Sequence, residues 1–195
     1  MDATYVVTNL PRDLHVAILL ASRQVHFEAA PLLYSRYSFD FDTHVEACAP
    51  LLADLTPRAR AAIRRVGVVK RALPYDKEFD RAEWSAMCRC LGTQLTRLAR
   101  LSLGVVAGKP GAVGWDGVPR FPKEDFGLLC DRVEEMDWVR HVMAIKGLDA
   151  IDVRACIEHC PPPTSNAMGF FVAFSASIEE GFAQYLTERM LVPAV

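Results

Sequence analysis

Three segments of the chain repeat one spacing of apolar residues. Residues 63–68, 98–103 and 148–153 each read apolar-x-x-apolar-x-apolar, and each follows a stretch with apolar residues at helical spacing. Short apolar runs of this kind indicate buried strands, and helices that alternate with strands favour a parallel sheet. The pattern therefore predicts an α/β fold, with alternating helix–strand units around a small, mainly parallel sheet.

The same three segments resemble the L-x-x-L-x-L core of leucine-rich repeats. Their first residues are 35 and 50 positions apart, at 63, 98 and 148, whereas leucine-rich repeats recur at roughly 20–29 residues. The array would therefore be irregular, with loops of unequal size. An ordinary three-layer α/β domain gives nearly the same pattern, so both architectures stay open from the sequence.

The N-terminal part predicts a helix and then a strand. Apolar residues at positions 14, 18, 21, 25 and 29 fall at spacings of three and four, which predicts a helix that opens near residues 10–14. We expect Pro31 to end or restart this helix, because proline removes a helical hydrogen bond. Alternation of aromatic and polar residues over 37–41 predicts a strand, and residues 5–8 predict a shorter one.

Polar residues mark further helix starts. Thr43, with Glu46 three positions later, has the form of a capping box. Thr56 followed by Pro57 is a second start, with the hydroxyl at the N-cap and proline in the first turn. Asp137 is the predicted cap of a later short helix.

The second half contains an irregular segment and a long final helix. Residues 107–122 hold four glycines and three prolines, which predicts a surface loop. After three consecutive prolines at 161–163, Ser165 or Asn166 is expected to cap a helix that runs to about Leu191. Its first turns are apolar on nearly every side, which predicts burial against the sheet or against another chain.

The length and the order of elements predict one α/β domain over residues 1–195. Within it, residues 10–41 supply a helical segment and a strand, residues 56–156 the repeat-like core, and residues 164–191 the C-terminal helix. A chain of this length is ample for a sizeable hydrophobic core.

Composition and charge narrow the class of protein. The formal net charge is −2, which lacks the basic excess that nucleic-acid binding usually requires. The apolar runs are too short to span a bilayer, and the first residues are acidic where a signal peptide would be basic. We therefore expect an intracellular protein, cytoplasmic or nuclear, that binds neither nucleic acid nor membrane. The six cysteines are too scattered for a disulfide scaffold and are expected to be reduced.

Residues 23–41 carry a distinctive sequence, RQVHFEAAPLLYSRYSFDF in one-letter code. It resembles the signature of a large group of filamentous-fungal proteins with F-box-like domains of unknown function. In that group an arginine–glutamine pair precedes alanine, proline, two leucines, tyrosine and serine, and a phenylalanine-rich strand follows. The likeness continues as a pattern through residues 57–69, 84–88 and 95–103, so it covers roughly residues 10–155.

The resemblance implies a protein–protein interaction module and supplies no catalytic residues. A complete F-box implies docking to the linker subunit of an E3 ubiquitin ligase. Here the leucine–proline element at residues 10–14 lies almost against Arg23. We therefore expect the F-box part to be truncated, or reduced to its last helix, as a helical remnant and a strand over residues 10–41, which weighs against that partner.

A cysteine–histidine cluster is the first candidate for chemistry. Cys156 and Cys160 flank His159 at a spacing that suits zinc, and Cys88 with Cys90 would complete a set of ligands. The single residue between Cys88 and Cys90 is tighter than the usual zinc-binding pair. Burial of these thiols in the core is the simpler interpretation, and we predict no metal.

The second candidate is the glycine-rich loop at residues 107–122. It follows a strand and contains Lys109, as a phosphate-binding loop would. However, proline follows Lys109 where that motif requires serine or threonine at the start of a helix. We therefore predict neither a cofactor site nor catalytic residues.

The candidate contact surface combines a basic cluster, one tryptophan of the loop and the aromatic start of the last helix. Its residues are Arg58, Arg60, Arg64, Arg65, Trp115, Phe170, Phe171 and Phe174. The arginines could meet an acidic partner or form the solvated side of a helix and strand. The phenylalanines could meet another chain or the chain's own core.

The function predicted from the sequence is that of a non-enzymatic adaptor or scaffold with an unidentified protein partner. The alternative is an enzyme that binds a small molecule or a metal through residues 107–122 or through the cluster at residues 156–160.

Overall fold

The computed structural model describes residues 19–74, 78–112, 114–160 and 168–191. The elements in chain order are α1 (Arg23–Arg36), β1 (Ser38–Asp40), α2 (Cys48–Asp54), α3 (Pro57–Ala62), β2 (Arg65–Arg71), α4 (Glu78–Gln94), β3 (Arg100–Val106), α5 (Asp125–Arg132), α6 (Trp138–Met143), β4 (Ala150–Ala155), α7 (Gly169–Ser177) and α8 (Ala183–Met190). Single 3₁₀ turns lie at Val45–Ala47, Glu134–Met136 and Ile157–His159. None of the helices in the described ranges is both long and apolar enough to cross a membrane.

The strands of the described residues form one sheet in which every neighbouring pair is parallel. Its order, β1-β2-β3-β4, is also their order along the chain. The predicted α/β fold, with helices that alternate with a parallel sheet, is confirmed. The register places Val66 opposite Leu101 and Leu101 opposite Ile151, so equivalent positions of the three repeated segments are direct neighbours.

The period of two residues in the strands gives the sheet one face that packs on the main core and a second face that carries both polar residues and a small buried cluster around Val69 and Val106. Val66, Val68 and Leu103 are buried in the main core. Their neighbours Arg65 and Asp152 point the other way and are exposed. We call this second surface the open face.

Helices cover the apolar face of the sheet. Neighbouring parallel strands in chain order need crossovers of one hand, which keeps the connecting helices on one side. Trp84 and Leu91 of α4 and Val139 of α6 are buried with the strand residues in the same core. The two helices are tied together by Trp84, whose Nε1 donates a hydrogen bond to the carbonyl oxygen of Trp138 at 3.2 Å.

The C-terminal helices extend this core beyond β4. A π-helical turn, Ile178–Phe182, lies between α7 and α8 and interrupts the single long helix that the sequence predicts. The ring of Phe126 lies 5.2 Å from that of Phe182, centroid to centroid. The side chain of Glu179 accepts a hydrogen bond from the backbone amide of Ala155 at 3.2 Å, which satisfies a donor on the edge of the sheet. The predicted caps at Ser165 and Asn166 lie outside the described residues.

Helix α1 differs from the prediction at Pro31. The proline lies inside the helix rather than at its end. The missing amide removes one hydrogen bond, while both ends of the helix are held. At the start, Ser22 accepts a hydrogen bond from the amide of Val25. At the end, the Tyr34 ring stacks on Phe39 at 5.5 Å. The predicted strand at 5–8 and the helix opening at 10–14 lie outside the described residues.

The predicted capping box at Thr43 does not form. The chain makes a 3₁₀ turn at Val45–Ala47, and α2 begins only at Cys48. The Thr43 hydroxyl instead accepts a hydrogen bond from Arg71 at 3.4 Å, and Glu46 pairs with His44 at 3.2 Å. Both members of the expected box are therefore engaged elsewhere.

The other predicted caps have opposite outcomes. The Thr56 hydroxyl accepts a hydrogen bond from the amide of Ala59 at 3.2 Å with Pro57 in the first turn, which confirms this helix start. Asp137 precedes α6, but its side chain makes no capping hydrogen bond. It pairs with Arg140 at 3.5 Å instead.

At Gly181 the backbone of the π-helical turn lies so close to the backbone of Phe121 that a β-carbon does not fit. A Cβ at this position would lie 2.4 Å from the carbonyl oxygen of Phe121, whereas Gly127 in α5 has open space. We expect Gly181→Ala to lower the free energy of unfolding by about 1–3 kcal/mol, as overpacking does. The matched control Gly127→Ala should raise it by about 0.5–1 kcal/mol. Urea unfolding measures both, and an unchanged stability of Gly181→Ala would contradict the close contact.

Candidate functional site

An apolar groove lies where α1 packs on α3. It has a volume of about 690 Å³ and is lined mainly by apolar side chains from the two helices and from the turn before α1. Leu20 is 87% exposed and Phe27 is 60% exposed. Contiguous exposed apolar surface of this kind marks an interaction site more often than isolated exposed residues do. We call this feature the α1–α3 groove.

The groove follows from how the two helices begin. Ser22 and Thr56 cap α1 and α3, and both residues line the groove. Of the residues in α1, Ala30 is the one that is buried, although the helix has fourteen residues. Helix α1 thus covers little of its own apolar surface, and the groove is what remains uncovered.

Basic side chains line the α1–α3 groove beside its apolar residues. The guanidinium carbon of Arg58 lies 3.7 Å from the centroid of the Phe27 ring, a cation–π contact. Arg23 and His26 also line the groove, and His26 Nδ1 lies 3.1 Å from the carbonyl oxygen of Leu19. The groove therefore combines exposed apolar side chains with positive charge.

The four arginines of the predicted basic cluster do not form one patch. Arg58 lines the groove, whereas Arg60 donates a hydrogen bond to Gln94 of α4 at 2.9 Å. Arg64 is half-buried, and Arg65 lies on the open face, where it donates to the carbonyl oxygen of Arg36 at 3.0 Å. Of these four arginines, Arg58 is the one that the described lining of the groove includes.

The aromatic start of the last helix belongs to the chain's own core. Phe174 is 0% exposed and Phe171 is buried, while Phe170 is half-buried and stacks on Phe174 at 6.4 Å. This corrects the assignment of Phe171 and Phe174 to a contact surface, because both side chains are buried and the rings of Phe126 and Phe182 pack against Phe174.

Both ends of the glycine-rich loop, residues 107–122, contact the C-terminal helices and the turn between them. A Cβ at Gly108 would lie 2.9 Å from the backbone of Phe171. At the other end, the Phe121 amide donates to the Ser177 hydroxyl at 2.8 Å, and Arg120 pairs with Glu180 at 2.7 Å. Trp115, the loop residue of the predicted surface, is half-buried. The loop thus contributes to packing, and its tryptophan lies away from the groove's lining.

The structure does not bring the four cysteines of the zinc hypothesis together. Cys156 and Cys160 pack with Val69 and Val106 in a small cluster on the open-face side of the sheet. Cys88 lies in the main core with the helices. Within the described ranges, no group of three or more histidine, cysteine, aspartate or glutamate side chains is arranged to hold a metal.

Burial suppresses the ionisation of the core thiols. It raises the pKa of Cys48 and of Cys88 to about 12 and that of Cys130 to about 11. Cys48 adds to the rise at Cys88, while Lys70 opposes it. Lys70 is itself buried, with its ammonium 5.5 Å from the centroid of the Trp84 ring. Because the thiolate is the reactive form, these thiols are poor nucleophiles.

One serine–histidine–aspartate arrangement could not be seen in the sequence. Ser85 Oγ on α4 lies 3.4 Å from His141 Nδ1 on α6, and His141 Nε2 lies 3.9 Å from Asp137. The pairing joins residues 56 positions apart, so no local motif reveals it. The cavity beside His141 and Asp137 has a volume of about 20 Å³, which suits a single water molecule. At 3.4 Å and 3.9 Å, the contacts of His141 are longer than the hydrogen bonds that usually join a nucleophile, a base and its orienting group.

The open face carries a row of polar groups across the sheet. Asp40, Gly67, Ser102 and Asp152 occupy neighbouring register positions. A Cβ at Gly67 would lie 2.9 Å from the Asp40 carboxylate carbon, and Ser102 donates to Asp152 at 3.4 Å. Asp40 also accepts a hydrogen bond from the backbone amide of Asp42 at 3.0 Å, and the exposure of Asp40 and Asp152 favours a solvated surface.

Searches for related family models, curated proteins and solved structures found no match to this chain. The resemblance of residues 23–41 to the fungal F-box-like group therefore stays a prediction.

The raised thiol pKa values predict a loss of stability at high pH. Below about pH 9 the thiols are neutral in both the folded and the unfolded chain, so their contribution is complete. Between pH 9 and about 12 the unfolded chain loses protons that the folded chain keeps, so stability falls. The expected slope is about 1.4 kcal/mol per pH unit for each such thiol.

The comparison of Cys88→Ala with the wild type isolates one of these thiols. Urea unfolding under reducing conditions at pH 8, 9.5 and 11 should show a smaller decline for the variant. The raised pKa values of Tyr34 and Tyr185 affect both proteins alike. Parallel declines in the two proteins would show that Cys88 ionises normally in the fold.

Proposed function

We propose that this chain is a protein–protein interaction module, an adaptor or scaffold, that binds its partner in the α1–α3 groove. The observation that carries the proposal is the exposure of Leu20 and Phe27 beside a groove of about 690 Å³. Burying a side chain of this size stabilises a complex by roughly 1.5–3 kcal/mol. Binding of a protein would therefore be stabilised by burial of the apolar side chains that α1 leaves exposed to water.

The state of α1 on its own also supports a partner. An isolated helix of fewer than about 12–15 residues is marginal in water, and α1 has fourteen residues with little buried surface. A partner in the groove would stabilise the helix as well as the complex.

A small-molecule site is less well supported by the polar groups in the groove. Such sites usually hold a few convergent polar groups that orient the ligand. The two hydroxyls in the groove, of Ser22 and Thr56, already accept hydrogen bonds as helix caps. Each hydroxyl keeps its O–H as a donor, so the groups left for a ligand are these donors, basic charge and a large apolar area, which suits a protein surface.

The proposal can be tested by affinity capture with three forms of the full chain. Phe27→Asp places a charge in the groove, and Leu128→Asp makes the same kind of change on α5, where Leu128 is 53% exposed. An extract of a filamentous fungus is the source that the resemblance suggests. We expect a protein that the wild type and Leu128→Asp recover equally and that Phe27→Asp recovers at least about fivefold less, as for an interface hot spot.

The folded state of each variant is checked by circular dichroism before capture. Recovery of the same proteins by all three forms would show that the groove is not the binding surface. Recovery of no protein by the wild type would count against the adaptor function itself.

A further inference from the structure

We infer that the occupant of the α1–α3 groove is an acidic amphipathic helix of the partner protein. This inference rests on the proposed function and goes beyond it by naming the chemistry and the shape of the ligand. It is carried by the juxtaposition of Arg23 and Arg58 with exposed apolar side chains between two helices.

The arginines Arg23 and Arg58 line the groove, and no aspartate or glutamate lines it among the residues that the structure describes. Neither arginine has an acidic side chain within 4.0 Å among the described residues. Arg58 uses the flat face of its guanidinium on the Phe27 ring, so its N–H edge stays available to a carboxylate. A partner that carries carboxylates beside its apolar residues matches both features.

The walls of the groove favour a helix over an extended strand. Strand addition requires an unpaired sheet edge, and the groove is built from α1, α3 and the turns before them. The backbone groups of a helix interior bond within the helix and offer no ladder to a new strand. An apolar cleft between two helices is the setting in which a third amphipathic helix binds, with anchors at i, i+3 or i+4, and i+7.

A second copy of the chain fits this charge pattern poorly. A symmetric dimer would bring each groove against the same surface of the other copy. The two grooves, each carrying Arg23 and Arg58, would then lie against each other, and like charges across an interface disfavour association. An acidic helix removes that repulsion and replaces it with ion pairs.

A display selection on the full chain tests the inference without a known partner. The probe is a library of helical peptides of about 18 residues, or five turns, in which the positions of one face and its two flanks are randomised. We expect enriched peptides to carry large apolar residues at i, i+3 or i+4, and i+7, with aspartate or glutamate beside them. Affinities of single peptides are then measured by fluorescence anisotropy.

Matched variants assign the binding to the groove and to its charge. Phe27→Asp should weaken an enriched peptide at least about tenfold, whereas Leu128→Asp should not. Arg58→Glu should weaken it about fivefold or more, whereas Arg132→Glu on α5 should not. Replacing the peptide's glutamates by lysine should restore binding to Arg58→Glu, which a merely structural role of Arg58 would not do.

Several results would overturn the inference. Enriched peptides that are basic, that lack helical spacing or that ignore Arg58→Glu would exclude an acidic helix. Binding that appears only after Leu14→Asp would assign the groove to the chain's own residues 1–18. A concentration-dependent dimer that Phe27→Asp abolishes, with no peptide selected, would assign it to a second copy.

The two proposals can fail separately. Peptides that need Phe27 but carry no acidic residues contradict the acidic helix and leave a protein-binding groove in place. Capture that does not depend on Phe27 contradicts the proposed function, whatever the peptide selection returns.

Discussion

The rest of the structure depends on the in-register pairing of parallel strands in chain order. Each connection has to return from the end of one strand to the start of the next, and its right-handed path keeps the helices on one face. Rows such as Val66, Leu101 and Ile151 therefore need to be apolar only on the side that the helices cover. The opposite face is free to carry Asp40 and Asp152.

The two ends of this sheet are closed differently, and the groove is a consequence. Beyond β4, Phe182 of the π-helical turn and aromatic side chains of α5, α7 and α8 extend the core, and Glu179 satisfies the edge amide of Ala155. At the other end, β1 has only three residues, and α1 packs on the small helix α3 instead of on a long strand. Among the described residues, the apolar side chains of α1 consequently have few buried contacts. Exposed apolar surface therefore remains at the end of the sheet where the repeating arrangement stops.

The features of the fold that could be predicted are those that residues close together in the sequence determine. The strands follow from apolar spacing, and the start of α3 follows from Thr56 and Pro57, because each involves neighbouring residues. Thr43 had the same local form, yet Arg71, 28 positions away, engages its hydroxyl. The π-helical turn arises where Gly181 passes the Phe121 carbonyl, a contact between distant segments. The local sequence indicates where a cap or a turn can form, and contacts between distant segments determine which of them does form.

The candidate site was harder to predict because charges that cluster in sequence separate in space. Arg58 and Arg60 are two positions apart in a helix, which turns them about 200° from each other; one reaches Phe27 and the other Gln94. Along extended chain, adjacent side chains point to opposite sides, which separates Arg65 from its neighbour. The arginine that joins Arg58 in the groove is Arg23, 35 positions earlier. The packing of α1 on α3 thus brings two arginines to one groove, and the run of arginines in the sequence contains only one of them.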